Sequence, residues 1–216
     1  MFVGHAAVAL LARRHNPSIS LGAFLVATFA LDLVWPVFLL FGVEQVRMDG
    51  TLPFGPLVFV SYPWSHSLLL AMGWGLLAAF IARSMGIRAA GAMVLGLVVV
   101  SHWVLDFITH VPDLQLAPGL PLRVGLGLWR SIPATFLVEG TFYVIAIFLY
   151  MKATRPRDGI GVWGIWSYLV LCGLLWASGP WGGAPPSVTV LACLAMGVWL
   201  LIALGAWGDR HRVMRG

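Results

Sequence analysis

Charge is scarce in this sequence. Asp, Glu, Lys and Arg together make up 10% of its 216 residues, while 60% are hydrophobic. A water-soluble domain carries about 25% charged residues. There is too little polar surface here to coat a soluble particle, and a mean hydropathy of +0.93 makes lipid the natural solvent. Cysteine is scarce too. Cys172 and Cys193 each lie inside an apolar run, so no disulfide framework or CxxC motif exists, and both read as small buried hydrophobes. The HExxH helix, the GxSxG elbow and the Walker A loop are all missing, which removes the usual zinc-protease, serine-hydrolase and nucleotide-hydrolase signatures. No repeat or low-complexity tract is present. No basic residue precedes the apolar stretch 2–12, and Arg13 and Arg14 follow it, so an ordinary cleaved signal peptide is not expected there. The net charge of +5 is dispersed in short clusters between apolar runs, so nucleic acid is not an expected partner.

Long apolar runs are what the sequence does have. A span needs about 20 mostly apolar residues, and the runs 19–42, 64–83, 89–111, 132–152, 160–178 and 187–207 meet or nearly meet that length. The expected fold class is therefore all-α: a polytopic membrane helical bundle of about six transmembrane helices, in one integral domain over 1–216. Residues 2–12 are too short to cross and are expected as a half-membrane or interfacial helix. Prolines and glycines punctuate the runs, with Pro112 ending the third.

Alternation of the spans sorts the basic residues onto two sides. One side receives Arg13, Arg14, Arg83, Arg88, Lys152, Arg155, Arg157, Arg210, Arg212 and Arg215. The other receives Arg47, Arg123 and Arg130, with Glu44, Asp49 and Asp113. The positive-inside rule makes the first side cytoplasmic.

Against this apolar background, the ionisable residues inside spans stand out. A charge at the bilayer centre costs about 2.5–3.5 kcal/mol on insertion scales, so such residues face a cavity and a function. The third span reads SHWVLDFITHVPD. His102 and Asp106 are four apart and share a helix face, and His110 continues it over about 12 Å of helix. An i, i+4 His/Asp pair suits zinc or another borderline divalent ion. A lone pair of this kind also forms simply as a hydrogen bond. His66 opens the second span between Ser65 and Ser67, either of which suits a helix cap. Asp32 lies inside the first span with no basic residue near it in sequence, and Glu139 lies about two turns into the fourth. By alternation all of these sit toward the non-cytoplasmic side. The tryptophans near span ends read as interfacial belt residues. The motif-bearing core is thus 1–152. The region 160–207 lacks acids and histidines and reads as a two-helix scaffold or a surface for a homo-oligomer.

His5, Asp32, the His66-Ser67 pair and SHxxLDxxTH, which contains His102, Asp106 and His110, together resemble the bacterial inner-membrane family of LexA-regulated, membrane-bound predicted metal-dependent hydrolases. The stretch VGLGLW at 124–129, followed by Glu139, is similar to a subset of such proteins. The resemblance covers roughly 1–150. The chain departs from it in reading GHAAVAL where the family more often has Thr-His and a glycine-containing stretch. The resemblance implies a divalent metal site in a bacterial inner membrane.

The reading that follows is a metal-dependent hydrolase acting on a lipid ester or phosphoester from the extracytoplasmic side. His66, His102 and Asp106 would hold the ion, zinc by preference, with Asp32 or His5 completing the shell and His110 as a further candidate. Asp32 or Glu139 would act as general base, and Arg123 and Arg130 would contact a lipid phosphate. The alternative is a small transporter, or a metal- or proton-binding protein without hydrolytic activity. That alternative needs polar residues continuing toward the cytoplasm, where the sequence has almost none between Arg83 and Ser101.

Overall fold

A computed structural model describes residues 1–215 as an all-α bundle. Helix α1 (Phe2–His15) is followed by α2 (Leu21–Thr28) and α3 (Ala30–Leu40). A hairpin of β1 (Gln45–Arg47) and β2 (Val58–Ser61) leads to the single turn α4 (Pro63–His66), then α5 (Leu68–Ser84) and α6 (Ala89–Thr109). The short pair β3 (Leu114–Gln115) and β4 (Arg123–Val124) precedes α7 (Ile132–Ala153). Strand β5 (Thr154–Pro156), α8 (Gly159–Ala177), α9 (Val188–Ala195), α10 (Val198–Arg210) and β6 (Arg212–Met214) complete the chain.

Four helical stretches are long and apolar enough to cross a membrane: α6, α7, α8, and α9 with α10 taken together. The expected span 19–42 is instead a bent pair, α2 and α3, meeting at 48° around Phe29; counted as one it makes a fifth. The expected span 64–83 is broken at Ser67 into α4 and the 17-residue α5, a shorter apolar helix. Caps mark the starts. Ser20, Ser67, Ser131, Asp158 and Ser187 each accept a backbone N–H from the first turn of the helix they precede.

Within the long spans, only 22% to 44% of residues are buried. The rest carry leucine and phenylalanine outward, among them Leu97, Phe148 and Leu174. A bundle that is apolar outside and holds its His and Asp inside is built for lipid. Helix α1 does not lie at an interface. It runs through the core against α2, α6, α7 and α8, with Val3, Ala6, Ala7, Ala9 and Leu10 fully buried. Its small side chains are what let four neighbours close around it. The α5–α6 hairpin also depends on a small contact: a Cβ on Gly96 would lie 2.7 Å from the Gly75 carbonyl oxygen.

The two ends of the bundle differ. At the arginine-rich end, Asp209 of α10 accepts from Arg13 Nε (3.1 Å), the Leu21 amide (3.2 Å) and the Tyr150 hydroxyl (2.6 Å). Arg13 also donates to the Pro17 carbonyl at 2.7 Å. Arg212 donates to Thr154 Oγ1 and the Gly161 carbonyl, so β5–β6 clips α7, α8 and α10 together. Outside the spans, the exposed Asp158 pairs with His211 at 2.7 Å, and that hydrogen bond holds the Asp158 carboxyl below its usual range. The opposite end holds the β1–β2 and β3–β4 hairpins and the residues that follow.

Candidate metal centre

Four elements deliver five side chains to one place. Helix α6 brings His102 and Asp106 a turn apart, α1 brings His5, the first turn of α3 brings Asp32, and α4 ends in His66. His102 Nε2 is 3.1 Å from Asp106 Oδ2 and 3.8 Å from Asp32 Oδ1. His66 Nε2 is 3.6 Å from Asp32 Oδ1 and 3.8 Å from Asp106 Oδ2. His5 Nε2 is 3.2 Å from Asp106 Oδ1, which also meets the Met1 nitrogen. The His5 and His102 rings stack at 3.7 Å. Two sets of three, His5–Asp32–His102 and His66–His102–Asp106, have ligand atoms within 4.8 Å of one another, and either could hold a metal ion. Four of the five residues are buried; the Asp32 side chain is 30% exposed.

Breaks in the helices make this convergence possible. The bend at Phe29 frees the Thr28 carbonyl, which lies 2.7 Å from His102 Nδ1. The Thr28 hydroxyl donates to the His5 carbonyl at 2.9 Å, fastening α1 to the same bend. Pro36 has no N–H to return to the Asp32 carbonyl, which loosens the ladder around Asp32. Non-helical backbone at this depth is tolerated where it lines a protein interior.

Hydrogen bonds behind the rings fix which nitrogen faces inward. A carbonyl only accepts, so His102 Nδ1 carries the proton, and in the neutral ring Nε2 presents its lone pair to the cluster. His66 reaches the same state through Ser65, which the sequence offers only as a helix cap, and Glu44, which it offers only as a loop acid. Glu44 accepts from the Ser65 amide (2.8 Å) and hydroxyl (2.7 Å), and Ser65 Oγ lies 2.7 Å from His66 Nδ1. With Glu44 ionised, the single Ser65 hydrogen is committed to it. Oγ then accepts from His66 Nδ1–H, and Nε2 points its lone pair at Asp32 and Asp106. Burial lifts the Glu44 carboxyl above its usual range, and the two Ser65 donors act against that lift.

The donor set fits a divalent cation. His102 Nε2 and His5 Nδ1 are buried without a hydrogen-bond partner; with the His102 proton on Nδ1, the 3.1 Å approach of Nε2 to Asp106 Oδ2 brings a lone pair and not a donor to the carboxylate. The Met1 ammonium supplies positive charge to Asp106 Oδ1; on the other side of the cluster two imidazole lone pairs face Asp106 Oδ2 and Asp32 Oδ1, and they repel unless further positive charge lies between them.

The remaining candidates lie around this cluster. His110 caps α6, its N–H still bonded to the Asp106 carbonyl, but its ring is held by other partners. Its Nδ1 is 3.0 Å from Asp113 and 3.2 Å from the Tyr62 hydroxyl, and it belongs to neither set of three. Glu139 is buried on α7, accepts from Trp129 Nε1 at 3.3 Å and is in neither set. Arg123 is exposed and donates to the Val60 carbonyl, tying β4 to β2. Arg130 is exposed, with its side chain against Gly127. A cavity of about 170 Å³ touches Asp32, His66, Asp106, His110 and Trp129. The chain matches no family model, no curated protein and no solved structure.

Ser65 and Glu44 give a direct test of the tautomer argument. A glutamine amide at position 44 would donate to Ser65 Oγ, turning the serine hydrogen toward His66 Nδ1 and moving the imidazole proton to Nε2. Glu44→Gln and Ser65→Ala are each expected to weaken metal binding about 10–100-fold. Competition with a fluorescent chelator measures this, and unchanged affinity in both variants would rule the orienting chain out.

Proposed function

We propose that this protein is a membrane-embedded, metal-dependent hydrolase of a lipid ester or phosphoester, acting from the extracytoplasmic face of a bacterial inner membrane. The observation that carries the reading is the convergence of His66, His102 and Asp106 with Asp32, with imidazole lone pairs turned inward beside a cavity in an apolar bundle. His66, His102 and Asp106 would hold the ion, with His5 or Asp32 completing the shell, and nitrogen–oxygen ligation of this kind favours zinc. Bound there, a divalent ion polarises the scissile group and lowers the pKa of water.

The chain's own residues supply the rest. Asp32 is the partly exposed carboxylate of the cluster and takes the proton of an attacking water as general base. Glu139, buried and bonded to Trp129, is the other acid that would take this role. Arg123 and Arg130, exposed on the segment between α6 and α7, would contact a phosphate group. The resemblance of 1–150 to the predicted hydrolase family supports the metal site more than it supports the reaction. A transport pathway would need polar lining to continue along α1, where Ala6, Ala7, Ala9 and Leu10 close the core.

Purified protein in nanodiscs of mixed phospholipids and polyprenyl phosphates is expected to release a hydrolysis product. Turnover should stop with chelator and in Asp106→Ala. Ion or solute flux through sealed vesicles without lipid turnover would replace this reading with transport.

Orientation has its own test. In a background with Cys172 and Cys193 replaced by serine, Leu122→Cys should react with an impermeant thiol reagent in intact cells, and Met85→Cys should not. Both side chains are exposed, so the reverse pattern would place the site on the cytoplasmic side.

A further inference from the structure

A second, larger hollow adjoins the metal centre. It has a volume of about 540 Å³, within the range of ligand pockets. Its walls are Leu171, Leu175 and Trp176 of α8 with Leu194 and Leu201 of α9 and α10. Its origin is a change in packing along α10. Toward the arginine-rich end α8 and α10 touch backbone to backbone: a Cβ on Gly208 would lie 2.6 Å from the Ile165 nitrogen. Beyond the interruption at 196–197 the chain turns away, and α9 packs on α3 instead. The two helices therefore diverge toward the site, leaving a groove that opens sideways past the exposed Leu171, Leu175 and Leu194.

The groove has one polar end. Phe2, Asp32, Trp35 and Trp129 line both it and the small cavity beneath the His–Asp cluster. Asp32 is its one ionisable lining residue. A hydrophilic solute would leave its polar groups unpaired along the leucine walls. A wholly apolar one would leave Asp32 unpaired at the end. The occupant that satisfies both is an amphiphile with one polar head and a hydrocarbon tail.

We propose that the groove between α3, α8 and α9–α10 holds the hydrocarbon chain of a membrane lipid whose polar head lies at the His–Asp cluster. This rests on the hydrolase reading for the role of the head, and gives α8 to α10 a substrate-facing role in place of scaffolding alone.

The test uses the full-length protein in nanodiscs doped with phosphatidic acid bearing a diazirine midway along one chain. Photolabelling is read by mass spectrometry, and bound metal is measured on the same samples. Labelling at 171–176 and 194–201 is expected to exceed that at the exposed Leu76 and Phe80 of α5 several-fold. Leu171→Trp and Leu175→Trp, at exposed positions on the groove wall, should each reduce groove labelling several-fold and leave bound metal at the wild-type level. Equal labelling of α5 and the groove, undiminished by either tryptophan, would overturn the proposal whatever the metal content. Groove labelling in wild-type protein that neither carries nor takes up a divalent ion would uphold the chain site and sink the metal-dependent reaction.

Discussion

Alanine at Asp106 or at His102 is expected to strip the protein of its divalent ion. Wild-type protein should purify with close to one equivalent, zinc by preference, and each variant should fall to background by mass spectrometry of the metal. Both residues belong to the set His66–His102–Asp106, where they sit one turn apart on α6 and face His66, and His102 belongs to the second set as well. Removing Asp106 takes one of the three ligands of the first set, and removing His102 takes one from each set; metal kept by Asp106→Ala and lost by His102→Ala would place the ion in His5–Asp32–His102. His110→Ala and Cys172→Ser should keep the metal. His110 is held by Asp113 and Tyr62, and Cys172 is buried in α8 away from the cluster. Full metal in both the Asp106 and His102 variants would leave the cluster as a hydrogen-bonded network only.

The second large effect is expected at the other end of the bundle. Asp209→Ala removes the acceptor for Arg13, for the Leu21 amide and for Tyr150, and leaves the buried guanidinium without a counter-charge, bonded only to the Pro17 carbonyl. Breaking a buried pair from one side costs about 3–5 kcal/mol. Thermal or denaturant unfolding in detergent should register that loss, with Tyr150→Phe losing less, about 1.5–3 kcal/mol for a hydrogen bond to a charged group. The double replacement Arg13→Met with Asp209→Leu should recover part of the stability, since an apolar pair avoids the desolvation cost while the Leu21 amide and the Tyr150 hydroxyl stay without their acceptor. A double variant as unstable as Asp209→Ala would show that Arg13 and Asp209 do not act as a pair.

Part of this architecture is legible in the residues alone. The long apolar runs of α6, α7, α8 and α9–α10 announce themselves by length, and the four-residue spacing of His102 and Asp106 places them on one face. The interruption at Phe29 is not legible, because neither glycine nor proline marks it. The bend comes from packing around α1 and from Thr28, whose two oxygens serve His102 and His5. Glu44 reads as an ordinary loop acid. Its link to His66 passes through Ser65, 21 residues away, and no local periodicity joins them. His110 shows the converse: its spacing continues the helical face, but Asp113 and Tyr62 hold its ring outside both sets of three. Asp209 and Arg13 lie 196 residues apart, and their pairing follows only from the closing of the bundle.

Helix α1 carries His5 near one end and Arg13 near the other, and both are tied down. It behaves as a keyed shaft between two locks. Eight residues separate the keys, and each residue turns the helix by about 100° and advances it about 1.5 Å. Substitutions along the shaft change its fit within the bore, while a single added or deleted residue would swing one key out of its lock. The phase of this helix, more than the identity of its alanines, is what couples the geometry of one face of the bundle to the integrity of the other.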